Sequence, residues 1–432
     1  MQRRTPTLFR LLALLFALAL LAGACGGRDD DEDAGGGQDD GDGEVATGPG
    51  FDGTTIKLGV ITPLSGSVAD PIGKPLTAGG DAFWAKVNAA GGVAGKYKVE
   101  LVKEDNVYDP AQTRAKYTKI KNDVAMFSQI LGTPPTKAVL GELKTDKIVA
   151  SPASLDAAWV REPNLLPLGT TYQLQFINAA DYLIKEEGFK GKPICIAALE
   201  GEYGEAGIEG LTYAAKELGF TTAATVRFKV TDVDPTAFTA AIQQLQNAKC
   251  AAVFLTALPS QTGALIGAGA QKGFSPRWVG QSPTWVSALA KSAVAPALQK
   301  SFLWVSEGTT WGDESVPGMK EMIEDQKKYA AAQAPDVYFV FGYAQAKAVN
   351  ALLEQAVENG DLSRDGILKA VQELDVQFNG LLGNYTYGKV ADREPSRGAV
   401  IFKVNPATVA TTGGLEKVKE ISSDAAKKFT FK

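Results

Sequence analysis

The sequence of 432 residues contains no histidine and only three cysteines. Without histidine, the chain cannot carry Ser-His-Asp or Cys-His catalysis, and metal sites with imidazole ligands are excluded. The sequence also lacks a G-x-S-x-G turn, a phosphate-binding loop and a dinucleotide-binding fingerprint. These absences argue against a hydrolase or transferase. We therefore predict a protein that is not an enzyme, with no catalytic residues, no cofactor and no metal.

The apolar run near the start of the chain is too short to cross a membrane. Residues 11–24 form a run of about 14 residues, whereas a spanning helix needs about 20. Three basic residues precede the run (Arg3, Arg4 and Arg10), and small residues close it. This order of basic, apolar and small residues is typical of an export signal. We predict that residues 1–24 are a signal peptide that is removed.

The residues at the predicted cleavage point, Ala22-Gly23-Ala24-Cys25, leave two alternatives. An ordinary signal peptidase would cut at the same bond and release a secreted chain with a thiol at its start. Cys25 also resembles the lipobox cysteine of bacterial lipoproteins, although Ala22 stands where leucine is usual. We predict lipidation of Cys25, which would place the protein outside the cytoplasm, tethered to the cell membrane.

The segment that follows is rich in glycine and acidic residues and has almost no apolar side chains. Such a composition cannot bury enough surface to offset its ordering entropy, so residues 25–50 are predicted to be a disordered tether. The segment carries a net charge of −8 and the leader +3, which leaves residues 51–432 with none. A neutral body argues against binding to nucleic acid.

The remaining residues are too many for one hydrophobic core, so two domains are expected. Between residues 55 and 151, strand-like runs alternate with helical periods, and the same alternation begins again after a helix near residues 172–187. This pattern predicts an α/β fold with two doubly wound parallel-sheet lobes. Long helices follow from about residue 314, and residues 381–388 and 398–404 are predicted to pair as a hairpin.

Two cysteines remain in the predicted body, Cys195 and Cys250, both in apolar strand-like runs. One interpretation is that each is a buried free thiol. A disulfide between them is also compatible with a protein outside the cytoplasm, but their spacing does not decide the question.

An ordered set of short segments resembles the type I periplasmic solute-binding proteins of ABC importers, in the leucine/isoleucine/valine-binding branch. The segments include IKLGVITPLSGSVADPIGKPLTAGGDAFWAKVNAAGGVAG, EDNVYDPAQTRAKYTKIKND, GTPPTKAV, IVASPAS and EGEYGEAG. The resemblance covers nearly all of residues 54–404 in order and spacing.

This resemblance implies a clamshell of two lobes joined by a hinge with three crossings, which closes on one small molecule and delivers it to a membrane permease. Carried onto this chain, it implies lobe one at residues 51–171 plus 309–377 and lobe two at 172–308 plus 378–432. Because late helices usually complete an earlier lobe, the residue pattern favours the same division. We expect a monomer.

The resemblance also implies a ligand site at the inner edge of lobe one. A helix start near Thr133 and Thr136 is the expected contact for a carboxylate, with Thr133 as the helix cap, although Pro134 and Pro135 remove two N–H donors. The strand end after Ser151 supplies further expected contacts, and Ser65 follows the first strand. The expected contacts from the strand end are Ala153, Ser154 and Leu155.

In lobe two, the resemblance implies that Tyr203 covers the ligand at the start of a helix. Leu258 stands where a tyrosine is common, and Gln281 and Ser282 lie where amino-acid binders carry an acid for the ligand's ammonium group. Tyr338 and Phe341, from a late helix, are expected either in the site or in the core.

The departures from the family pattern concern the expected ligand. An α-amino acid in a closed cleft without an acid would leave a buried charge uncompensated, at a cost of several kcal/mol. We therefore predict a less polar ligand, such as an aromatic or aliphatic carboxylate or an amide. The alternatives are a true branched-chain amino acid binder and a ligand-sensing receptor of the same fold.

Overall fold

The computed structural model describes residues 45–334 and 336–432. The predicted signal peptide, Cys25 and most of the predicted tether lie outside these residues. Within the described part, no helix has the length and apolarity that a membrane crossing requires.

Strands and helices alternate through the first part of the described chain, as predicted. The elements are β1 (Thr55–Thr62), α1 (Lys74–Ala89), β2 (Lys98–Asp105), α2 (Pro110–Ile120), β3 (Met126–Leu131), α3 (Thr133–Asp146) and β4 (Ala150–Ala153). The four strands are parallel and lie in the order β2-β1-β3-β4. Every residue of β3 is buried, because a parallel strand is covered by helices on both faces.

The second part repeats the alternation. Its elements are α4 (Tyr172–Lys185), β5 (Ile194–Leu199), α5 (Glu202–Leu218), β6 (Thr222–Phe228), α6 (Thr239–Asn247), β7 (Ala252–Thr256), α7 (Pro259–Gln271), β8 (Arg277–Gln281), α8 (Ala295–Ser301) and β9 (Phe302–Ser306). These strands are also parallel. The prediction of two α/β lobes is confirmed.

The last part of the chain contributes to both lobes. Its elements are α9 (Pro317–Tyr329), α10 (Val337–Glu358), α11 (Arg364–Ala370), β10 (Asp375–Val376), β11 (Tyr385–Thr386), β12 (Ala399–Val404), α12 (Val409–Thr412), β13 (Leu415–Ile421) and α13 (Asp424–Lys428). Helices α9 and α10 pack on α1 of the first lobe, whereas β12 and β13 join the second sheet.

The second sheet is mixed rather than wholly parallel, which corrects the prediction for this lobe. Its order is β13-β12-β9-β8-β7-β5-β6, and β12 runs antiparallel to both β9 and β13. A short connection joins β12 to β13, and a short connection allows only an antiparallel pair.

The hairpin predicted between residues 381–388 and 398–404 is wrong. Strand β11 pairs with β10, and β12 pairs with β9 and β13 instead. The partner was missed because β13 is an edge strand with mostly exposed side chains, so its sequence lacks the apolar run on which the prediction relied.

The chain passes between the two lobes three times, and we call these passages the hinge. The first passage, at Gly169, leads from β4 to α4. The second, at Gly308, follows β9, and the third, at Leu382, precedes β12. Gly308 and Leu382 pair in an isolated bridge, so the second and third passages lie side by side. The predicted lobe boundaries remain predictions.

The folded body begins before residue 51, so the predicted tether extends too far. Residues 45–50 lie against the turn before α11. The Ala46 N–H donates to the Gly360 carbonyl at 2.9 Å, and the Leu362 N–H donates to the Ala46 carbonyl at 3.0 Å. Val45 is buried. The two backbone bonds order a segment whose composition alone predicts disorder.

Cys195 and Cys250 form a disulfide, with their Cα atoms 5.8 Å apart. The interpretation as free thiols is therefore wrong. Cys195 lies in β5, and Cys250 lies just before β7, which pairs with β5. Strand pairing thus brings together two cysteines that are 55 residues apart in the sequence.

Candidate functional site

A cavity lies between the lobes, at the carboxyl ends of the parallel strands. Its lining includes residues at or just beyond the ends of β3, β4, β7, β8 and β9. In open α/β sheets this edge is where ligands bind, because loops and helix starts converge there. The empty space between the atoms measures about 730 Å³, including the part that opens to solvent. That volume suits a small organic molecule.

Most of the cavity wall is apolar or aromatic. From the first lobe come Ile72, Leu76 and Leu131, and from the second come Leu258 and Trp304. No lysine or arginine of the described residues lines the cavity. A charged ligand group would therefore have to be held by neutral hydroxyls, by backbone N–H groups or by the single lining carboxyl group.

The structure brings nine of the twelve predicted site residues together at this cavity. They are Thr133, Ala153, Ser154, Leu155, Tyr203, Leu258, Ser282, Tyr338 and Phe341. Their contact with a ligand remains a prediction.

The other three predicted residues do not line the cavity. Thr136 Oγ1 donates to the Ile130 carbonyl at 3.4 Å, back toward the end of β3. Gln281 is fully buried at the end of β8, and its side chain faces away from the cavity because successive strand residues point to opposite sides.

Ser65 supports a neighbouring turn. Its Oγ donates to Asp105 Oδ2 at 2.5 Å, and Asp105 also accepts from the Val107 N–H at 2.9 Å. Burial raises the pKa of Asp105, but these hydrogen bonds outweigh that effect and lower it overall. The turn carries Tyr108, which lines the cavity.

The start of α3 forms the first-lobe end of the cavity. The helix begins at Thr133 with Gly132 as its cap, one residue earlier than predicted. Thr133 is 1% exposed, and its Oγ1 has no hydrogen-bond partner within the described residues. Gly132 has φ 107°, and a Cβ atom there would lie 2.6 Å from the Tyr108 ring. The glycine thus allows the ring and the helix start to approach closely.

Four tyrosines surround the middle of the cavity: Tyr108, Tyr172, Tyr203 and Tyr338. The rings of Tyr172 and Tyr203 meet edge to face with centroids 4.9 Å apart. Tyr203 donates its hydroxyl to the Ala257 carbonyl at 3.2 Å, and Tyr338 donates to the Pro283 carbonyl at 3.1 Å. Burial raises the pKa of all four. They are therefore neutral and present hydroxyl groups, not phenolates.

Glu307 supplies a carboxyl group at the second-lobe end, which the sequence analysis did not predict. It follows β9 and lines the cavity. Its Oε2 lies in hydrogen-bond contact with Ser282 Oγ, and with Ser306 Oγ at 3.3 Å. Burial raises the pKa of Glu307, although the contacts with Ser282 and Ser306 oppose the shift. The expectation that the second-lobe wall has no acid holds for residues 280–282 but not for the whole wall.

Three lining residues missed by the sequence analysis have different signals. Tyr108 and Glu307 each follow a strand, so the rule that ligands bind at strand ends could have found them. Tyr172 lies at the start of α4, where Thr171 Oγ1 accepts from the Leu174 N–H at 3.4 Å. Nothing in its local sequence separates it from a core tyrosine.

The chain matches known periplasmic binding proteins over most of its length. Residues 55–412 match the family model described as periplasmic binding protein. No curated protein sequence matches the chain. Among the described residues, no group of acidic side chains or cysteines could hold a metal ion.

Several solved structures are similar to this chain. The fatty acid ABC transporter substrate-binding protein from Thermomonospora curvata has 29% identity and a TM-score of 0.83, covering 90% of this chain and 97% of its own. A branched chain amino acid ABC transporter from Thermus thermophilus with bound valine has 18% identity and a TM-score of 0.75, covering 87% and 98%. A solute binding protein from R. palustris in complex with 4-hydroxybenzoate has 18% identity and a TM-score of 0.69, covering 85% and 97%. At 18% identity these last two show the shared fold alone.

Proposed function

Because the chain belongs to the periplasmic binding protein family, the solute-binding components of ABC transporters, we propose that its cavity binds a solute less polar than an α-amino acid. The proposed ligands are aliphatic or aromatic carboxylates and amides. The family consists of binding proteins rather than enzymes, which act outside the cytoplasm and deliver a small molecule to a membrane permease.

The observation that carries this proposal is the composition of the cavity wall. Leucine, isoleucine and tyrosine side chains make up most of it, and no basic residue faces the ligand. An apolar ligand body would be stabilised by about 25 cal/mol for each Å² removed from water. A zwitterion would instead bring two charges into this wall, each of which requires a partner.

The first-lobe end offers a place for a carboxylate or carbonyl group. Thr133 Oγ1 is buried without a partner, and it lies at the first turn of the 14-residue helix α3. The partial positive charge of a helix start favours an anion, and the free hydroxyl can donate a hydrogen bond to it. We propose that the polar head of the ligand binds here.

The similarity to the Thermomonospora curvata protein supports an acid with an aliphatic body. That protein is described as a fatty acid substrate-binding protein. A fatty acid joins a carboxylate to an apolar chain and has no ammonium group. The same combination suits a wall with hydroxyls at one end and leucines along its length.

One observation favours the alternative, a branched-chain amino acid. Glu307 is the only acidic residue that lines the cavity, and an ionised carboxylate there could pair with the ligand's ammonium group. The two proposals therefore differ in the charge of Glu307.

The proposal is tested with ligands that differ only in the ammonium group. Thermal unfolding is measured with 4-methylpentanoate and 4-methylpentanamide against leucine, and with 3-phenylpropanoate against phenylalanine. A ligand at 100 times its Kd adds about 2.7 kcal/mol to the free energy of unfolding. We expect the acids or the amide to raise the melting temperature and the amino acids to have a smaller effect. Stabilisation by leucine with no response to 4-methylpentanoate would contradict the proposal.

We also propose that the protein is a monomer held at the membrane by a lipid on Cys25. The basis is the sequence around Cys25, which lies outside the described residues. In cells fed an alkyne-labelled fatty acid, the wild type should incorporate the label and sediment with membranes. The C25S variant should do neither, and equal labelling of the two proteins would rule out Cys25 as the anchor.

A further inference from the structure

The hydroxyl group of Ser282 lies between two oxygen atoms, one from Gln175 and one from Glu307. Ser282 Oγ is 2.9 Å from Gln175 Oε1, and it also contacts Glu307 Oε2. The orientation of the Gln175 amide is fixed at both ends. Its Nε2 donates to the Thr170 carbonyl at 2.9 Å, and its Oε1 accepts from the Ser282 N–H at 2.9 Å. The atom facing Ser282 is therefore an acceptor.

Counting protons determines the state of Glu307 in this arrangement. A serine hydroxyl has one proton to donate, but Ser282 has two oxygen contacts. If Glu307 were ionised, both contacts would be acceptors and one of them would have no proton. If Glu307 is protonated, it donates to Ser282 Oγ and Ser282 donates to Gln175 Oε1. The second arrangement satisfies every contact, as buried polar groups require.

The surroundings of Glu307 contain no cation that would favour the ionised form on the cavity side. Within the described residues, Glu307 takes part in no ion pair closer than 4.0 Å, and burial raises its pKa. Opposite it, a Cβ atom on Gly169 would lie 2.9 Å from Glu307 Cβ and Cγ, so the hinge packs directly on the side chain. The titratable groups around it are Tyr172 and Tyr338 on the cavity side and, across an outer groove that Glu307 also lines, Asp313, Lys417 and Glu420.

We propose that Glu307 is a neutral carboxylic acid at the hinge end of the cavity, and that it makes the cavity select uncharged and acidic solutes over α-amino acids. A neutral acid does not compensate a buried ammonium group, and it does not repel a carboxylate. The selectivity for ligand charge rests on the proposed function, but the protonation of Glu307 does not, because it follows from contacts within the chain.

The E307Q variant tests the protonation directly. Glutamine has the same shape as the protonated acid, and its Nε2 can donate to Ser282 Oγ in the same way. A raised pKa in the folded chain means that the associated stability is complete below the unfolded pKa of about 4.3 and is lost as pH rises through the folded value. The melting temperature of E307Q should therefore match the wild type at pH 4 and exceed it by about 2 °C at pH 8.

Two further measurements separate this result from a general effect of the substitution. E358Q removes an exposed carboxyl group that makes no ion pair or side-chain hydrogen bond among the described residues, and it should follow the wild-type curve. Infrared difference spectra of wild type against E307Q should contain a protonated carboxyl band at pH 5 that disappears at alkaline pH. Lack of that band, or an E307Q variant that is less stable than the wild type at pH 8, would overturn the proposal.

The ligand arm tests selectivity separately. At pH 8, E307Q should bind 4-methylpentanoate at least about tenfold more tightly than the wild type, because the ionised glutamate would repel the anion. Leucine binding that is strong in the wild type and lost in E307Q would show an ionised Glu307 and overturn the proposal. If no probe binds either protein, the proposed ligand class fails, whereas the stability and infrared results still decide the protonation of Glu307.

Discussion

The two ends of the cavity treat their polar atoms in opposite ways. At the first-lobe end, Thr133 has a buried hydroxyl with no partner. At the second-lobe end, Glu307, Ser282 and Gln175 form a chain of contacts in which each links to the next. An unpartnered buried group costs about 1 to 3 kcal/mol and gains from a ligand. A satisfied chain gains little, so it selects ligands by what it excludes.

Each end also depends on a glycine with positive φ, and substituting these glycines would test the comparison with the largest effect. Gly132 has φ 107°, and a Cβ atom there would lie 2.6 Å from the rigid Tyr108 ring. Gly169 has φ 62°, and its Cβ atom would meet the flexible Glu307 side chain at 2.9 Å. We expect G132A to lower the free energy of unfolding by about 3 kcal/mol and G169A by about 1 to 2 kcal/mol, measured by urea denaturation.

A third glycine provides the control for these two. Gly141 lies within α3, is exposed and has nothing within 4 Å of an added Cβ atom. G141A should stabilise the protein by about 0.5 to 1 kcal/mol, because alanine is the better helix former. Equal destabilisation by G132A and G169A would mean that the second-lobe end is as rigid as the first.

The sequence predicted the fold where the evidence is local and repeated. Buried parallel strands such as β3 give continuous apolar runs, and helices between them give a period of 3.6. Pairing over long distances left no such pattern. The exposed edge strand β13 and the disulfide between Cys195 and Cys250 both depend on which strands become neighbours, and the sequence does not encode that in any single window.

The site was predictable in part for the same reason. The resemblance to a family placed residues by their position along the chain, which brought Thr133 and Ser282 to the cavity wall but also included Gln281, whose side chain points the other way. Glu307 was missed because its role depends on Gln175, which is 132 positions away in the sequence. A proton count across three residues needs coordinates, whereas a helix start can be read from a glycine and two prolines.

A substitution at Thr133 sharpens the comparison with a smaller effect. T133V removes a hydroxyl that has no partner, so the free energy of unfolding should change by less than about 0.5 kcal/mol, while the Kd for 4-methylpentanoate should rise about tenfold. The matched control is T136V in the same helix, where the lost hydroxyl is bonded to the Ile130 carbonyl and lies outside the cavity lining. T136V should cost about 1 kcal/mol of stability and leave the Kd unchanged. Calorimetric titration and urea denaturation of both variants would separate the two effects, and an unchanged Kd in T133V would remove this hydroxyl from the ligand site.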